Sequence, residues 1–416
     1  MRPVTSSPVP SRLLSHRAYR RLLIAATGSK LGTAVSSLAI PLVAVLALRA
    51  SPGQVGLLAT LSPASFVLIG LPAGAWIDRM SKRPVMVAAD LARCLLLASI
   101  PLAWTLHVLT IFQLYAVVLA VGSCTVFFDV ASLSFLPHVV GRDHLSAANS
   151  QLVAVDAAVQ TGGRGVGGFL IALVSAPWAV VVDSASYLWS ASFLVRAHQP
   201  EPQPTRGFRR ENSLRREIAH GLAFVFTHRT LRPIALSGSL VNLAIQICQT
   251  LLPVEFVRLG LGASVIGLFF AVGGLGSLLG SLAARPLVAR FGAGRVLWLA
   301  GLAVAPAGVL VALAGRGPAL WLAAAAWLLT TFKTGVDNVI KVSFRQSVTP
   351  VHLLGRMNGT MRFLLTGALS AGAALAGLLG GLISVRAGLW CGAGVLAVVW
   401  VPIWFSPLRT TRDLPG

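Results

Sequence analysis

Twelve long apolar segments constrain this 416-residue chain more than any other feature. A helix that crosses the hydrocarbon core of a bilayer needs about 20 mostly apolar residues. Segments of that kind lie at 20-47, 54-77, 84-106, 109-136, 147-174, 177-195, 233-257, 264-289, 294-315, 318-344, 357-384 and 386-406. Charged residues make up only 11% of the chain, against about 25% in soluble globular proteins. The sequence therefore predicts an all-α membrane protein with twelve transmembrane helices.

The basic residues predict how these helices are oriented in the membrane. The formal net charge is +22, and an even number of spans places both termini on one side. With the N terminus in the cytoplasm, the loops on the other side keep only Arg49, Arg258, Arg316 and Arg386. Because cytoplasmic loops carry an excess of Lys and Arg, we expect a multi-pass inner or plasma membrane protein with both termini cytoplasmic. No nucleic-acid partner is expected, since no exposed domain gathers the charge.

A polar stretch divides the twelve spans into two sets of six. We expect an N-terminal six-helix bundle at 1-197, a cytoplasmic central loop at 198-232 and a C-terminal six-helix bundle at 233-416. Within the loop, LRREIAHGLAFVF alternates polar and apolar residues at helical spacing. This predicts an amphipathic helix at the membrane surface, with Arg215 and Arg216 towards lipid headgroups; a solvated linker is the alternative. Two pseudo-symmetric halves are typical of secondary transporters.

The loop between the second and third spans reads GAWIDRMSKRP and holds an unusual concentration of charge for this chain. The matching loop of the second half reads GSLAARPLVARFGAGR, where Gly280 and Arg285 correspond to Gly74 and Arg79. An alanine there replaces the acid Asp78. The recurrence supports an internal repeat, and the carboxylate is particular to the first copy.

These residues resemble the loop signature of the major facilitator superfamily, Gly-x-x-x-Asp-Arg-x-Gly-Arg-Arg. Gly74, Asp78 and Arg79 match it, Ser81 replaces the second glycine, and Lys82 and Arg83 fill the basic pair. Further stretches resemble the branch that holds macrolide and multidrug efflux pumps and the enterobactin exporter. They are FFDVASLSFLPHVVGRDHLSAANS at 127-150, DSASYL at 183-188, EIAHGLAFVFTHRTLR at 217-232 and FRQSVTPVHLLGRMNGTMR at 344-362.

The resemblance implies the major facilitator fold and a role for this loop in gating. In the superfamily the signature is thought to hold the outward-open state by tying the two halves together on the cytoplasmic side. Asp78 is then a latch, and Asp129 in the fourth span is expected to join Lys82 or Arg83. The alternative is that Lys82 and Arg83 only fix the topology.

Charges inside the spans are the next candidates, because each costs at least about 2.5 to 3.5 kcal/mol near the bilayer centre unless it is paired or hydrated. Asp90 and Arg93 are three residues apart, and Lys333 and Asp337 are four apart, so each pair shares a helix face. We expect these two pairs to be structural or gating elements. Asp183, inside DSASYL, is expected to serve in packing or capping.

Three charges have no partner nearby in the sequence: Lys30 in the first span, and Asp156 and Arg164 in the fifth. In the superfamily these spans line the central cavity, so we expect a transport role, with Asp156 as the proton carrier. A cross-helix salt bridge without a transport role is the alternative. Two departures bear on proton coupling. Thr33 stands where relatives often carry an acid, and Gly163-Arg164 replaces the Gly-Pro pair typical of many exporters.

Polar and aromatic side chains predict the wall of a substrate cavity. Asn242, Gln246 and Gln249 recur at i, i+4 and i+7 of the seventh span and so share one helix face. Helix-helix hydrogen bonds in membranes contribute only about 0.6 to 2 kcal/mol each, so we expect this stripe to face the substrate. Phe128 is expected to supply an apolar wall.

Catalysis has little support in this sequence. The eight histidines are scattered, and neither a phosphate-binding loop nor a nucleophile elbow is present. We expect no enzyme activity, no cofactor and no metal. The expected function is a monomeric, proton-coupled exporter of amphipathic small molecules, drugs or natural products, working by alternating access in the lipid bilayer. A siderophore or lipid carrier of the same fold, and a non-transporting scaffold or receptor, are the alternatives.

Overall fold

The computed structural model describes residues 17–141, 144–196, 214–350 and 353–412, and nearly all of them are helical. The first six long helices are α1 (Arg17–Leu42, continued by a π-helical turn at Val43–Ala47), α2 (Pro52–Asp78), α3 (Lys82–Thr105), α4 (Ile111–Val140), α5 (Leu145–Val174) and α6 (Ala176–Arg196). After α7 (Leu214–Thr227) come α8 (Leu231–Arg258), α9 (Ala263–Phe291), α10 (Ala293–Ala312), α11 (Pro318–Ser347), α12 (Leu354–Leu382) and α13 (Val385–Val398). The short α14 (Val401–Trp404) and a 3-10 turn at Pro407–Thr410 follow α13.

All twelve predicted spans are present as helices. Within the described residues, eleven helices are long and apolar enough to cross a membrane by length and composition. The remaining one, α5, has 30 residues, of which Gly162–Val174 forms a shorter apolar stretch among the residues that the structure describes. Local signals set the helix ends: Ser51 and Gln54 form a capping box before α2, with Pro52 at its first turn, and Thr110 caps α4 through the backbone N–H of Gln113.

The long helices form two packed groups. In the first group α6 packs on α1 and α3, and α4 packs on α2 and α3; in the second, α9 packs on α11, α8 on α12 and α13, and α10 on α11 and α13. Successive helices run in opposite directions. We call the side that holds the loop between α2 and α3 the basic face, and the other side the opposite face.

Glycines bring the two groups together near the opposite face. Helix α2 crosses α12 where Gly56 meets Gly377, and α5 crosses α9 where Gly168 meets Gly267. A Cβ atom added at Gly168 would lie 2.6 Å from the Cα of Gly267, which is closer than real contacts allow. Small residues at such crossings let helix backbones approach in the membrane.

Between the two sets of spans the chain forms helix α7, which packs on the beginning of α12. Val225 is fully buried, in a cluster that includes Met357 and Met361. Gly221 lies against Thr360 of α12. At Gly221 and Val225, α7 is thus in contact with α12. The predicted headgroup contacts of Arg215 and Arg216, and residues 197–213, lie outside the described part of the structure.

Candidate functional site: a central cavity

A cavity of about 500 Å³ lies between the two groups of helices. Its wall is mostly apolar and includes Leu58, Val118 and Leu369. The cavity adjoins the two glycine crossings, since its wall includes Val55 next to Gly56 and Arg164 one turn before Gly168. Polar and charged side chains interrupt this wall; among them are Thr33, Asp183, Tyr187, Arg164, Gln246 and Gln249.

Arg164 lines the cavity one helical turn before the glycine crossing of α5 and α9. Its guanidinium donates to Oε1 of Gln249, with an N–O distance of 3.3 Å, and its Cζ lies 5.5 Å from the ring centroid of Phe270. Gln249 lies on α8, so this hydrogen bond joins the two halves. The structure therefore places one predicted cation and one predicted amide together in the cavity.

The predicted amide stripe of α8 divides between two environments. Gln246 and Gln249 line the central cavity. Asn242 instead donates to the carbonyl of Leu365 in α12, with an N–O distance of 3.0 Å, and lines a second, smaller pocket. Asn242 lies one helical turn from Gln246 and contacts the smaller pocket instead, so its place in a substrate site stays a prediction.

Lys30 and Asp156 pair with each other. The Nζ to Oδ1 distance is 2.6 Å, and the side chains are 38% and 48% exposed. Neither residue is among those that line the central cavity. The pair joins α1 to α5 within the first half, which is the arrangement we gave above as the alternative to a transport role.

Asp183, for which we expect a packing or capping role, lines the central cavity. The residue is 2% exposed, and the hydroxyl of Ser186 donates to its Oδ1 at 3.2 Å. A Cβ atom added at Gly32 of α1 would lie 2.6 Å from this oxygen. Among the described residues none forms an ion pair with Asp183. The sequence shows that Asp183 is an isolated acid, but it does not show that the carboxylate faces a glycine of another helix.

An ion pair joins the two halves on the basic-face side of the cavity. Asp129 of α4 and Arg362 of α12 are 2.9 Å apart between Oδ2 and the guanidinium nitrogen, and both line the cavity. The guanidinium also lies 4.3 Å from the ring centroid of Phe66. The expectation that Asp129 joins Lys82 or Arg83 is therefore wrong, since its ion-pair partner is on the other half of the chain.

The basic residues of the α2–α3 loop hold helix ends. Lys82 donates to the carbonyl oxygens of Ile77 and Met80 at 2.8 Å, at the end of α2. Arg83 donates to the carbonyls of Leu194, at 2.9 Å, and of Val195, near the end of α6. Cations in these positions stabilise the unpaired carbonyls of a helix C-terminus.

The other members of the loop signature give less information. A Cβ atom added at Gly74 would meet nothing within 4 Å, so no close helix contact requires glycine there. Arg79 follows the end of α2, and its backbone N–H donates to the carbonyl of Trp76. Asp78 ends α2, and its side chain lies outside the described part of the structure.

Asp90 and Arg93 form a salt bridge inside the first half, and both are buried. The guanidinium of Arg93 lies between two rings, 4.5 Å from the centroid of Phe128 and 4.2 Å from that of Tyr187. Phe128 is not among the residues that line the cavity. The ring of Phe128 packs on this buried cation, and its role as a substrate wall stays a prediction.

The pair Lys333 and Asp337 has a third member. Lys333 lies 2.6 Å from Oδ2 of Asp337, and Lys341 lies 2.7 Å from the same oxygen. The spacing of four residues continues from 333 to 337 to 341, so the sequence contained the signal for Lys341. Among the described residues, no group of three or more His, Cys, Asp or Glu side chains could hold a metal ion.

A cavity between two groups of long apolar helices is the arrangement of a membrane carrier with two halves. The sequence profile of the Major Facilitator Superfamily matches residues 22–364, and the chain belongs to that superfamily. The chain is also similar to the enterobactin exporter EntS of Shigella dysenteriae serotype 1 (strain Sd197), with 25% identity over 413 residues, 97% of this chain and 96% of the relative.

Two solved structures show the same fold. A bacterial homologue of the iron transporter ferroportin in an inward-facing state has a TM-score of 0.74 at 17% identity, covering 93% of this chain and 98% of its own. A bacterial homologue of the human lysosomal transporter Spinster has a TM-score of 0.71 at 14% identity, covering 99% and 100%.

Proposed function

We propose that this protein is a secondary carrier that exports amphipathic small molecules from the cytoplasm by alternating access. The observation that carries the proposal is the central cavity of about 500 Å³ between the two groups of helices, beside the glycine crossings that bring these groups together near the opposite face. Ligand pockets for small molecules typically measure about 300–1,000 Å³. An apolar wall with a few polar groups suits a molecule that is part apolar and part polar.

The basic face is the cytoplasmic side in this proposal. It carries the loops in which the sequence concentrates Lys and Arg, as expected for cytoplasmic loops. The structure then corresponds to a carrier that is closed to the outside. Substrate enters from the cytoplasm past the ion pair of Asp129 and Arg362 and binds beneath the crossing of α5 and α9.

Arg164 and Gln249 are the polar anchors that we assign to the substrate. Arg164 has an amide and an aromatic ring as described partners, so its charge remains available to an acidic or hydroxyl-rich group. A siderophore is the second candidate substrate, because relatives that match nearly the whole chain are named enterobactin exporters. Siderophores combine acidic oxygens with an apolar framework.

Protons drive this export, and Asp183 is the carboxyl group that we assign to proton binding. It lines the cavity without a described ion-pair partner. The charged residues around it, Arg93 and Asp90 of α3, are paired with each other, and Arg164 lines the same cavity. Asp156 is the second candidate carboxyl, although its pairing with Lys30 already satisfies its charge.

Everted membrane vesicles test the proposal. Uptake of amphipathic dyes, antibiotics and a catecholate siderophore is followed with and without an imposed pH gradient. We expect the wild type to accumulate at least one compound only when the gradient is present. Asp183→Asn should lose this dependence and keep exchange of labelled for unlabelled substrate, and Asp156→Asn should keep both.

Each other outcome is informative. If Asp156→Asn loses the gradient dependence and Asp183→Asn keeps it, the proton carrier lies on α5. Uptake that ignores the gradient in the wild type excludes proton coupling. If no compound moves under any gradient, the transport proposal fails and a scaffold or receptor role replaces it.

A further inference from the structure

Helix α11 carries more buried positive charge than its acid can neutralise. Lys333, Asp337 and Lys341 are 3%, 3% and 7% exposed, and both ammonium groups bind the same carboxylate oxygen, Oδ2 of Asp337. Lys341 also donates to the hydroxyl of Ser237, at 3.0 Å. One turn further along, Arg345 adds a third cation whose Nε is buried without an acceptor.

No second acid compensates these cations within the described part of the chain. The other described carboxylates that form ion pairs do so elsewhere: Asp90 with Arg93, Asp129 with Arg362, Asp156 with Lys30 and Glu255 with Arg386. Asp183 lies in the central cavity. Charges removed from water are tolerated when they are paired. Here two lysines share one carboxylate, and Arg345 forms no ion pair with any described residue.

A pocket of about 90 Å³ adjoins these charges, and we call it the α11 pocket. It lies between α8, α11 and α12. Lys341 and Arg345 supply cations to its wall, and Asn242, Asn338 and Thr334 supply amide and hydroxyl groups. Oδ1 of Asp337, on the same wall, has no hydrogen-bond donor. The pocket therefore combines excess positive charge, an N–H donor without an acceptor and an oxygen without a donor.

We propose that the α11 pocket binds a small inorganic anion. The anion neutralises the excess charge of Lys341 and Arg345 and accepts a hydrogen bond from the unpaired Nε. One water molecule takes up about 30 Å³ in the liquid, so the pocket has room for a halide ion with one or two waters. A water beside the anion donates to Oδ1 of Asp337. This proposal does not depend on the transported substrate.

Thermal unfolding of the purified full-length protein tests the site. Potassium gluconate is replaced stepwise by potassium chloride at constant pH and ionic strength. Because a ligand that binds only the folded state stabilises it by mass action, we expect Tm to rise with chloride and then to saturate. Lys341→Gln and Arg345→Gln should remove the rise. Arg290→Gln, an exposed arginine of α9, should keep it.

Direct binding of radioactive chloride completes the test. Equilibrium dialysis should find one chloride ion per wild-type chain and none in Lys341→Gln. If Lys341→Gln does not fold, Arg345→Gln replaces it in this measurement and should also bind no chloride. The proposal is overturned if wild-type protein unfolds identically in chloride and gluconate and binds no chloride, which indicates a water-filled pocket. It is equally overturned if both variants keep the chloride effect, because the ion then binds elsewhere.

Discussion

Asp337 accepts hydrogen bonds from two buried lysines at once. Its replacement is therefore expected to destabilise the protein more than replacement of an exposed acid. Asp337→Asn leaves Lys333 and Lys341 buried without a carboxylate, and breaking a buried ion pair typically costs about 3–5 kcal/mol. Asp156→Asn breaks a half-exposed pair that contributes about 0–1 kcal/mol. We expect Asp337→Asn to lower Tm far more than Asp156→Asn in thermal unfolding of the purified protein. Equal small shifts for both variants contradict this prediction.

The ion pair of Asp129 and Arg362 is the second residue-scale test, because it joins the two halves on the basic-face side of the cavity. Both side chains are about two-fifths exposed, so the pair contributes at most about 1 kcal/mol and acts on the balance between conformations. Arg362→Asp should slow transport through like-charge repulsion. The swapped variant with Asp129→Arg and Arg362→Asp should recover most of the wild-type rate. A swap as slow as the single variant assigns Arg362 to substrate binding instead.

At the scale of helices, the glycine crossings determine how the opposite face closes. Valine at Gly168 places a side chain against the backbone of Gly267, so α5 and α9 cannot reach the distance seen here. We expect Gly168→Val to expose the opposite face and to slow transport strongly. Gly394→Val is the matched control, because a Cβ atom there meets nothing within 4 Å.

The measurement for this prediction combines transport with labelling of a cysteine introduced at Leu46, near the opposite face, by an impermeant maleimide. Faster labelling together with slower transport in Gly168→Val supports the crossing as a closing element. Unchanged labelling and unchanged transport in that variant show that the two halves need no close approach there.

Helix positions and their ends were predictable because they depend on local sequence. About 20 apolar residues, a capping box before α2 and the four-residue spacing of Lys333 and Asp337 all lie within single segments. The continuation of that spacing to Lys341 was equally visible and was missed. The placement of Phe128 could not be predicted, because its ring packs on Arg93 of another helix.

At the scale of the whole molecule, the partners across helices could not be predicted. Lys30 and Asp156 are 126 residues apart, and Asp129 and Arg362 are 233 apart. The spacing of residues along the sequence indicates which side chains share a face of one helix. It does not indicate which helices pack against each other. The same reason explains why Asp183, an isolated acid in the sequence, was not predicted to reach the cavity.

The central claim is that the two halves must separate at the opposite face during transport. A Cβ atom at Gly165 would lie 3.0 Å from the Cβ of Ala271, close to the roughly 3.5–4.5 Å of disulfide-bonded cysteines. Cysteines at these two positions, in a protein whose four native cysteines are replaced, can therefore lock α5 to α9.

Transport in vesicles is then measured before oxidation, after oxidation and after reduction of this double variant, with each single cysteine variant as a control. The account predicts that oxidation stops transport, that dithiothreitol restores it, and that neither single variant responds. Transport at the unlocked rate while the disulfide is fully formed would contradict alternating access through this cavity.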